Sequence, residues 1–149
     1  MTMDVLTAEQ RHRNMSAILS RNTKPEILVR RYLWDRGFRY RLNSAKLPGH
    51  PDIVLRKYRT CIFINGCFWH GHENCRLFRL PLTNREFWQE KITRNRERDK
   101  DVLHRLAETG WHCIVVWECE LRRDRREKTL ESLVLVLRHS YEQEHSAGG

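Results

Sequence analysis

The ten residues GCFWHGHENC, 66–75, follow directly on the apolar run TCIFIN and constrain this fold more than any other stretch of the chain. Their glycine and polar content cannot support a hydrophobic core. Yet the segment holds two cysteines, two histidines and two large aromatics. Cys67, His72 and Cys75 have the spacing C-x4-H-x2-C, and a fourth soft ligand, Cys119, ends the distant run WHCIVVWEC. Tetrahedral Zn2+ takes thiolate and imidazole readily, and a ligand set from one loop closed by a remote residue is a common structural arrangement. A Cys3His site of this kind would anchor the loop to the end of the late strand and stabilise it. The other use for a thiol is as a small buried hydrophobe, which fits Cys61 and Cys113 because each lies inside an apolar run. Spacing leaves His70 with two uses, an alternative ligand or a group held beside the metal loop for chemistry.

A chain of 149 residues, 40% of them hydrophobic, can bury one core, so we expect a single domain over residues 1–149 with frayed ends at about 1–6 and 144–149. Lys and Arg number 28 against 19 Asp and Glu, a formal charge of +9, which favours a polyanionic partner, with nucleic acid the leading candidate. No run reaches the roughly 20 apolar residues of a membrane span and no signal-peptide pattern is seen, so the expected location is cytoplasmic, with no membrane partner. Five cysteines, an odd number, argue against a disulfide framework and for metal ligation or burial.

The pattern along the chain alternates helix and strand. Thr7 and Gln10 can open a first helix, TAEQRHRNMSAILS, with a basic polar face, and Thr23 with Glu26 makes a second capping pattern. The helix PEILVRRYLWDRG that follows closes at Gly37, with Ile27, Leu28, Tyr32 and Leu33 as its apolar face. A short strand FRYRL, the turn-rich KLPGHP and a strand beginning at Asp52, DIVLR, come next. DIVLR and TCIFIN, joined by the tight KYR connection, should form a hairpin. A long charged helix should run from about Thr83, with Glu86 three residues on, to Gly110. WHCIVVWEC has the continuous apolar run of a buried central strand, with Trp111 and Trp117 in the core. A last helix near residues 128–142 carries Leu130, Leu133, Val134 and Leu137 on one face. Together these make an α/β layered domain.

Asp52 follows a proline at the start of an apolar strand, where aspartate is disfavoured. A hard divalent cation such as Mg2+ would give the carboxylate a purpose, and a turn aspartate after Pro-Gly is the alternative. With Glu26 opening a helix, the Pro-Asp pair, the following strand and a last helix across the sheet, the pattern suggests the PD-(D/E)xK nuclease superfamily. There the hairpin's second strand would carry another acid and a lysine, but CIFIN has neither. The missing groups must come from elsewhere in the chain.

The segments PGHPDIVL, IFINGCFWHGHENC, NREFWQEKITRNRERD and IVVWEC resemble the very short patch repair (Vsr) DNA mismatch endonucleases, a divergent branch of that superfamily, over about residues 10–120. The resemblance implies a three-layer restriction-endonuclease-like domain, with a central mixed sheet flanked by helices and a structural zinc loop. It implies a monomeric, Mg2+-dependent enzyme of the bacterial nucleoid that nicks one strand of duplex DNA 5′ to the thymine of a T:G mismatch, as arises from 5-methylcytosine deamination. Repair proteins would act downstream of that nick. Asp52 and the backbone carbonyl of Ile64 match the family's Mg2+ ligands, and His70 matches its catalytic histidine, the general base. Glu26 and Asp99 match acids that orient water around the cation, although Glu26 also fits a capping box and Asp99 a solvated helix face. Cys67, His72, Cys75 and Cys119 match the structural Zn2+ ligands. The chain departs from some members by Asn65 where they carry histidine, and by one more residue between His72 and Cys75.

Phe68, Trp69 and Trp88 match the family's wedge, inserted beside the mismatch, with core packing as their alternative use, and Met15 joins it from the first helix. Unstacking a base step costs a few kcal/mol, and less at a mispair, which is a physical source of mismatch preference. Lys91 and Asn95, one turn apart, are placed to read base edges. Arg11, Arg13, Arg21, Arg94 and Arg98 contact phosphate or stay solvated. Two other readings remain open at this level. A zinc-stabilised DNA-binding module would have no use for Asp52 or His70, and a related restriction-like nuclease or resolvase would take a different DNA target.

Overall fold

A computed structural model describes residues 23–147, with side chains described over 23–143. The expected first helix, with Met15, Arg11, Arg13 and Arg21, lies outside the described residues. Thr23 caps helix α1 (Lys24–Asp35), its hydroxyl accepting from the Glu26 N–H, and Gly37 beyond the helix end takes φ +89°. The apolar face turns inward as expected through Leu33, with Leu28 and Tyr32 beside it, and Val29 joins them.

Strand β1 is only Arg41–Leu42, shorter than FRYRL, because Phe38 is already committed to the core and Arg39 lies over the Trp34 ring. Strands β2 (Ile53–Leu55) and β3 (Thr60–Asn65) form the expected antiparallel hairpin, joined by a 3-10 turn over Arg56–Tyr58 and a left-handed Arg59. Helix α2 (Arg85–Glu108) starts two residues later than about Thr83 and does not use the Thr83–Glu86 pattern. Asn84 caps it in the left-handed region without a side-chain bond. Strand β4 (His112–Trp117) then runs parallel to β3, pairing Cys61 with Cys113 and Ile64 with Val116. The order β1-β2-β3-β4 makes a mixed sheet.

β4 is therefore an edge strand among the described residues, not the central strand its apolar run implied. The run is continuous because both faces are covered, and face coverage rather than position in the sheet is what removes alternation. On one face Ile53, Leu55, Ile62 and Val116 pack with α1 and with Leu130, Leu133, Val134 and Leu137 of α3 (Arg126–Ala147), the four residues expected there. On the other, Val54 and Cys61 pack with Leu106 of α2, and Phe63, Val102 and Cys113 lie against them. Cys61 and Cys113 thus take the packing role expected of them, and burial pushes the Cys61 thiol up to about 12. Each fully buried aliphatic contributes on the order of 1.5–3 kcal/mol. The result is a three-layer α/β domain with α1 and α3 on one side of the sheet and α2 on the other.

Candidate functional site

Asp52 immediately precedes β2, and its carboxylate accepts the Ile64 N–H at 2.7 Å, fixing it across the end of the hairpin. Glu26, 2% exposed in the first turn of α1, hydrogen-bonds the same carboxyl and accepts from Arg30 at 3.0 Å. Burial pushes the Asp52 acid from its ordinary 3.8 up to about 6. The Ile64 N–H opposes this, the charge of Glu26 adds to it, and His70 opposes it from across the site. Two carboxyls held together out of water are costly unless they share a proton or a hard cation sits between them. Their oxygen donors therefore fit Mg2+, with Ile64 lining the adjoining cleft.

His70 directs Nδ1 to Asp99 Oδ2 at 2.7 Å, with both side chains about one-third exposed. A carboxylate only accepts, so this contact places the proton on Nδ1 and leaves Nε2 as the basic nitrogen. Helix α2 grips the loop on either side. Asn95 Nδ2 donates to the Trp69 carbonyl at 2.8 Å, and Arg96 Nε donates to the Gly71 carbonyl at 2.9 Å, with Nη2 bound to the same oxygen.

His72 belongs to a separate centre. Its ring and the sulfurs of Cys67, Cys75 and Cys119 bring four ligand atoms within 4.8 Å of one another. Tetrahedral Zn2+ with thiolate ligands needs sulfurs about 3.8 Å apart, so the cluster suits such an ion. The Leu77 N–H donates to Cys75 Sγ and the Cys119 N–H to Cys67 Sγ, both at 3.4 Å, while Arg125 lies 4.0 Å from Cys119 Sγ. Burial pushes the Cys67 and Cys119 thiols up, an opposition that a bound cation would relieve. The two uses left open for His70 are thus separated in space. His72 completes the cysteine cluster, and His70 lies close enough to act on Asp52.

Phe68, Trp69 and Trp88 form one aromatic group with ring centroids 5.2–5.8 Å apart, and Phe87, half-exposed, touches Trp88. None of them belongs to either core cluster. Phe68 and Trp69 instead line a cavity of about 460 Å3 together with Ile64, Asn65 and His70. Lys91 sits half-buried one turn before Asn95. The Asn95 amide donates to the loop, and Arg98 donates to its oxygen at 3.4 Å.

Three contributors were not anticipated. Trp117, expected in the core, stacks on His72 at 4.0 Å and 6° and presents an edge to His70. It ends β4 next to the cluster, so its large apolar ring covers imidazoles instead of aliphatics. Arg96 was hidden in a run of charge, and Glu118 accepts the Cys67 N–H at 3.2 Å. Position one and two residues before Cys119 was the available signal for Glu118 and Trp117, whereas nothing local marks Arg96.

A buried glutamate bonded to a half-buried aspartate, with a histidine–aspartate pair nearby on a strongly basic chain, suits phosphodiester hydrolysis, the chemistry of a nuclease. The family profile described as DNA mismatch endonuclease Vsr matches residues 3–76. The chain is 50% identical over 119 residues to a type II nicking enzyme of Neisseria meningitidis serogroup A, covering 80% of this chain and 84% of that one. It is 47% identical over 119 residues to the DNA mismatch endonuclease Vsr of Escherichia coli K12 (80% and 76% covered), and 46% over 118 residues to a type II nicking enzyme of Xanthomonas oryzae (79% and 86%). The chain belongs to the Vsr family of DNA mismatch endonucleases. Among the described residues no helix is long and apolar enough to cross a membrane.

Proposed function

We propose that this protein nicks one strand of duplex DNA on the 5′ side of the thymine in a T:G mismatch, acting as a monomer in the bacterial cytoplasm. The observation that carries the catalytic part is the Asp52–Glu26 pair set opposite a His70 whose tautomer is fixed by Asp99. Asp52 and the Ile64 carbonyl would hold Mg2+, which when bound stabilises negative charge on the phosphoryl oxygens. His70 Nε2 takes the proton of the attacking water, a role suited to an imidazole, which ordinarily titrates near ~6.5. Asp99 keeps the ring oriented and stabilises the charge the imidazole gains. Glu26 holds Asp52 in place and supplies a second acceptor for ordered water.

Phe68, Trp69 and Trp88, with Met15, are the wedge, and Lys91 faces the DNA beside them. Cys67, His72, Cys75 and Cys119 would hold Zn2+, which when bound would brace the loop that carries both wedge and base. Arg94 and Arg98 bind phosphate. The test uses end-labelled duplexes bearing T:G or T:A at one position, incubated with Mg2+. A nick confined to the T:G duplex, 5′ of the thymine, is expected. No nick refutes the catalytic reading, and equal cutting of both duplexes refutes mismatch specificity.

A further inference from the structure

The second half of α1 and the segment after it concentrate arginine. Residues 30–41, RRYLWDRGFRYR, hold five arginines against one acid, Asp35. Arg30 is committed to Glu26 at 3.0 Å. Arg31, Arg36, Arg39 and Arg41 are exposed, and among the described residues none of them meets a carboxylate. Arg105 of α2, also exposed, is by contrast held by Asp101 at 3.1 Å.

Aromatic rings hold two of the four in place. The Arg39 guanidinium lies 3.6 Å over Trp34 and that of Arg36 lies 3.5 Å over Tyr32, while Tyr40 meets the Trp34 ring edge-on at 5.9 Å. Each spends Nη1 on carbonyls near the end of α1, Arg39 on Trp34 and Phe38, and Arg36 on Tyr32. Capping the helix accounts for those two Nη1 groups. It gives no use to Nε and Nη2 of either side chain, nor to Arg31 and Arg41. A guanidinium already immobilised by stacking loses little freedom on binding a phosphate, and its remaining donors can meet two oxygens at once.

We propose that this surface is a second phosphate-binding face, which holds the duplex arm on the 5′ side of the nick, away from the mismatch. The inference rests on the mismatch-nicking reading above. Position favours DNA over an acidic protein. From Arg41 the chain passes through Leu42, paired with Ile53, to Asn43, whose N–H donates to the Asp52 carbonyl at 3.1 Å. With strands ~4.8 Å apart and a rise of ~3.4 Å per residue, the Cα atoms of Arg41 and Asp52 lie about 8 Å apart. A DNA strand advances about 3.4 Å per nucleotide, so Arg41 is about two to three nucleotides from a phosphate held at Asp52.

Strand order sets which arm is met. β1 flanks β2 on one side, and β3, which leads into the loop carrying Phe68 and Trp69, flanks it on the other. The catalytic groups therefore lie between the arginines and the aromatic group. With the aromatic group beside the thymine, the arginines meet the opposite arm. Trp34 is half-exposed, but Arg39 takes one face of its ring, so it is a platform for the guanidinium rather than an open anchor for an apolar partner.

The experiment titrates full-length, zinc-replete protein by fluorescence anisotropy, over a range of NaCl concentrations, with T:G and T:A duplexes. Either arm is left long or cut to about 2 base pairs, short of the reach of Arg41. The variants are Arg31→Gln/Arg41→Gln and Asp35→Asn, both of which leave the capping contacts of Arg36 and Arg39 in place. The double variant should bind about tenfold more weakly and lower the slope of log affinity against log salt by about 2. Asp35→Asn, which removes the one acid on the face, should bind about twofold more tightly. Both effects should disappear when the 5′ arm is cut and persist when the 3′ arm is cut. The T:G over T:A binding ratio should stay within about twofold, because phosphate contacts carry no sequence information.

Unaltered affinity and slope in the double variant would overturn the proposal in favour of an acidic protein partner. Equal losses whichever arm is cut would overturn it in favour of diffuse attraction by net charge. Failure of the wild type to nick the T:G duplex with Mg2+ removes the functional reading itself, whereas normal nicking with arm-independent effects removes only the second face.

Discussion

Replacing Asp52 with asparagine should stabilise the protein while abolishing nicking. Asp52 is an acid whose folded value, about 6, lies above the ordinary 3.8, because burial penalises its charge and Glu26 sits against it. The native state therefore holds this proton more tightly than the unfolded chain does. The stabilising contribution of the group is complete below about pH 3.8 and is lost as pH rises to about 6. Above that the ionised carboxylate carries a constant penalty, at most about 3 kcal/mol for a rise of this size. Partial solvent access and sharing of the proton with Glu26 reduce the figure, and about 1–2 kcal/mol is expected. An amide at position 52 can still accept the Ile64 N–H through its oxygen and can donate to Glu26 through its nitrogen, so a repulsive pair becomes a hydrogen bond.

The assay is chemical and thermal unfolding of wild type and Asp52→Asn from pH 4 to 8, in zinc-replete buffer without Mg2+. The variant should gain on the wild type between pH 4 and 6 and keep a constant lead above, at about 2–4 °C of Tm per kcal/mol. Added Mg2+ should stabilise the wild type and close the gap, leaving the variant unmoved, since a ligand stabilises only the state that binds it. A variant equal to or less stable than wild type at pH 7.5, or a lead that persists unchanged to pH 4, would refute this account of the carboxylate pair.

Three further outcomes follow from the same geometry. Asp99→Asn keeps the size of the side chain but weakens the hold on Nδ1–H, and single-turnover nicking should fall about 100-fold or more with DNA affinity unchanged; an unaltered rate would remove Asp99 from the reaction. Trp69→Ala deletes part of the aromatic group, and should weaken binding to T:G duplexes about tenfold (~1.4 kcal/mol) while changing T:A binding less, as titrated by fluorescence anisotropy. Cys75→Ala should lower bound zinc, measured by elemental analysis, and reduce folded yield, whereas unchanged zinc content would refute that ligand set.

The hairpin, the cysteine–histidine spacing and the apolar face of the last helix were legible because each is a local pattern with a local cause. Strand order was not. The run of β4 reports that helices cover both its faces, and this holds at an edge as well as at a centre. The start of α2 was misjudged because Thr83 and Glu86 satisfy the capping spacing, yet the turn at Asn84 has already taken the left-handed conformation that begins the helix. Glu26 fitted a capping box, and Thr23 does accept its N–H, but the carboxylate reaches Asp52, which no local pattern could reveal. His70 and His72 were inseparable by spacing. Two residues apart, they face different centres because the loop turns through Gly71 between them.

The charged run RNRERDKD concealed the working face of α2. Trp88, Ile92, Asn95, Asp99, Val102 and Leu106 follow one another at intervals of three and four, which puts all six on one stripe of the helix. The two ends of that stripe are apolar and packed, Trp88 in the aromatic group and Val102 with Leu106 against the sheet. A polar residue lying between them on the same stripe cannot be an ordinary solvated one, because the positions on either side already face protein. Asn95 and Asp99 occupy those places, and both are spent on the loop. Reading the stripe rather than the composition would have drawn Asp99 out of the run without reference to any relative. It also ties a short loop to a rigid support. At 1.5 Å per residue, the 24 residues of α2 span about 36 Å, so one rigid element joins the aromatic group, the His70 loop and the sheet. Load placed on the aromatic group is thereby referred to the same helix that holds the His70 ring through Asp99.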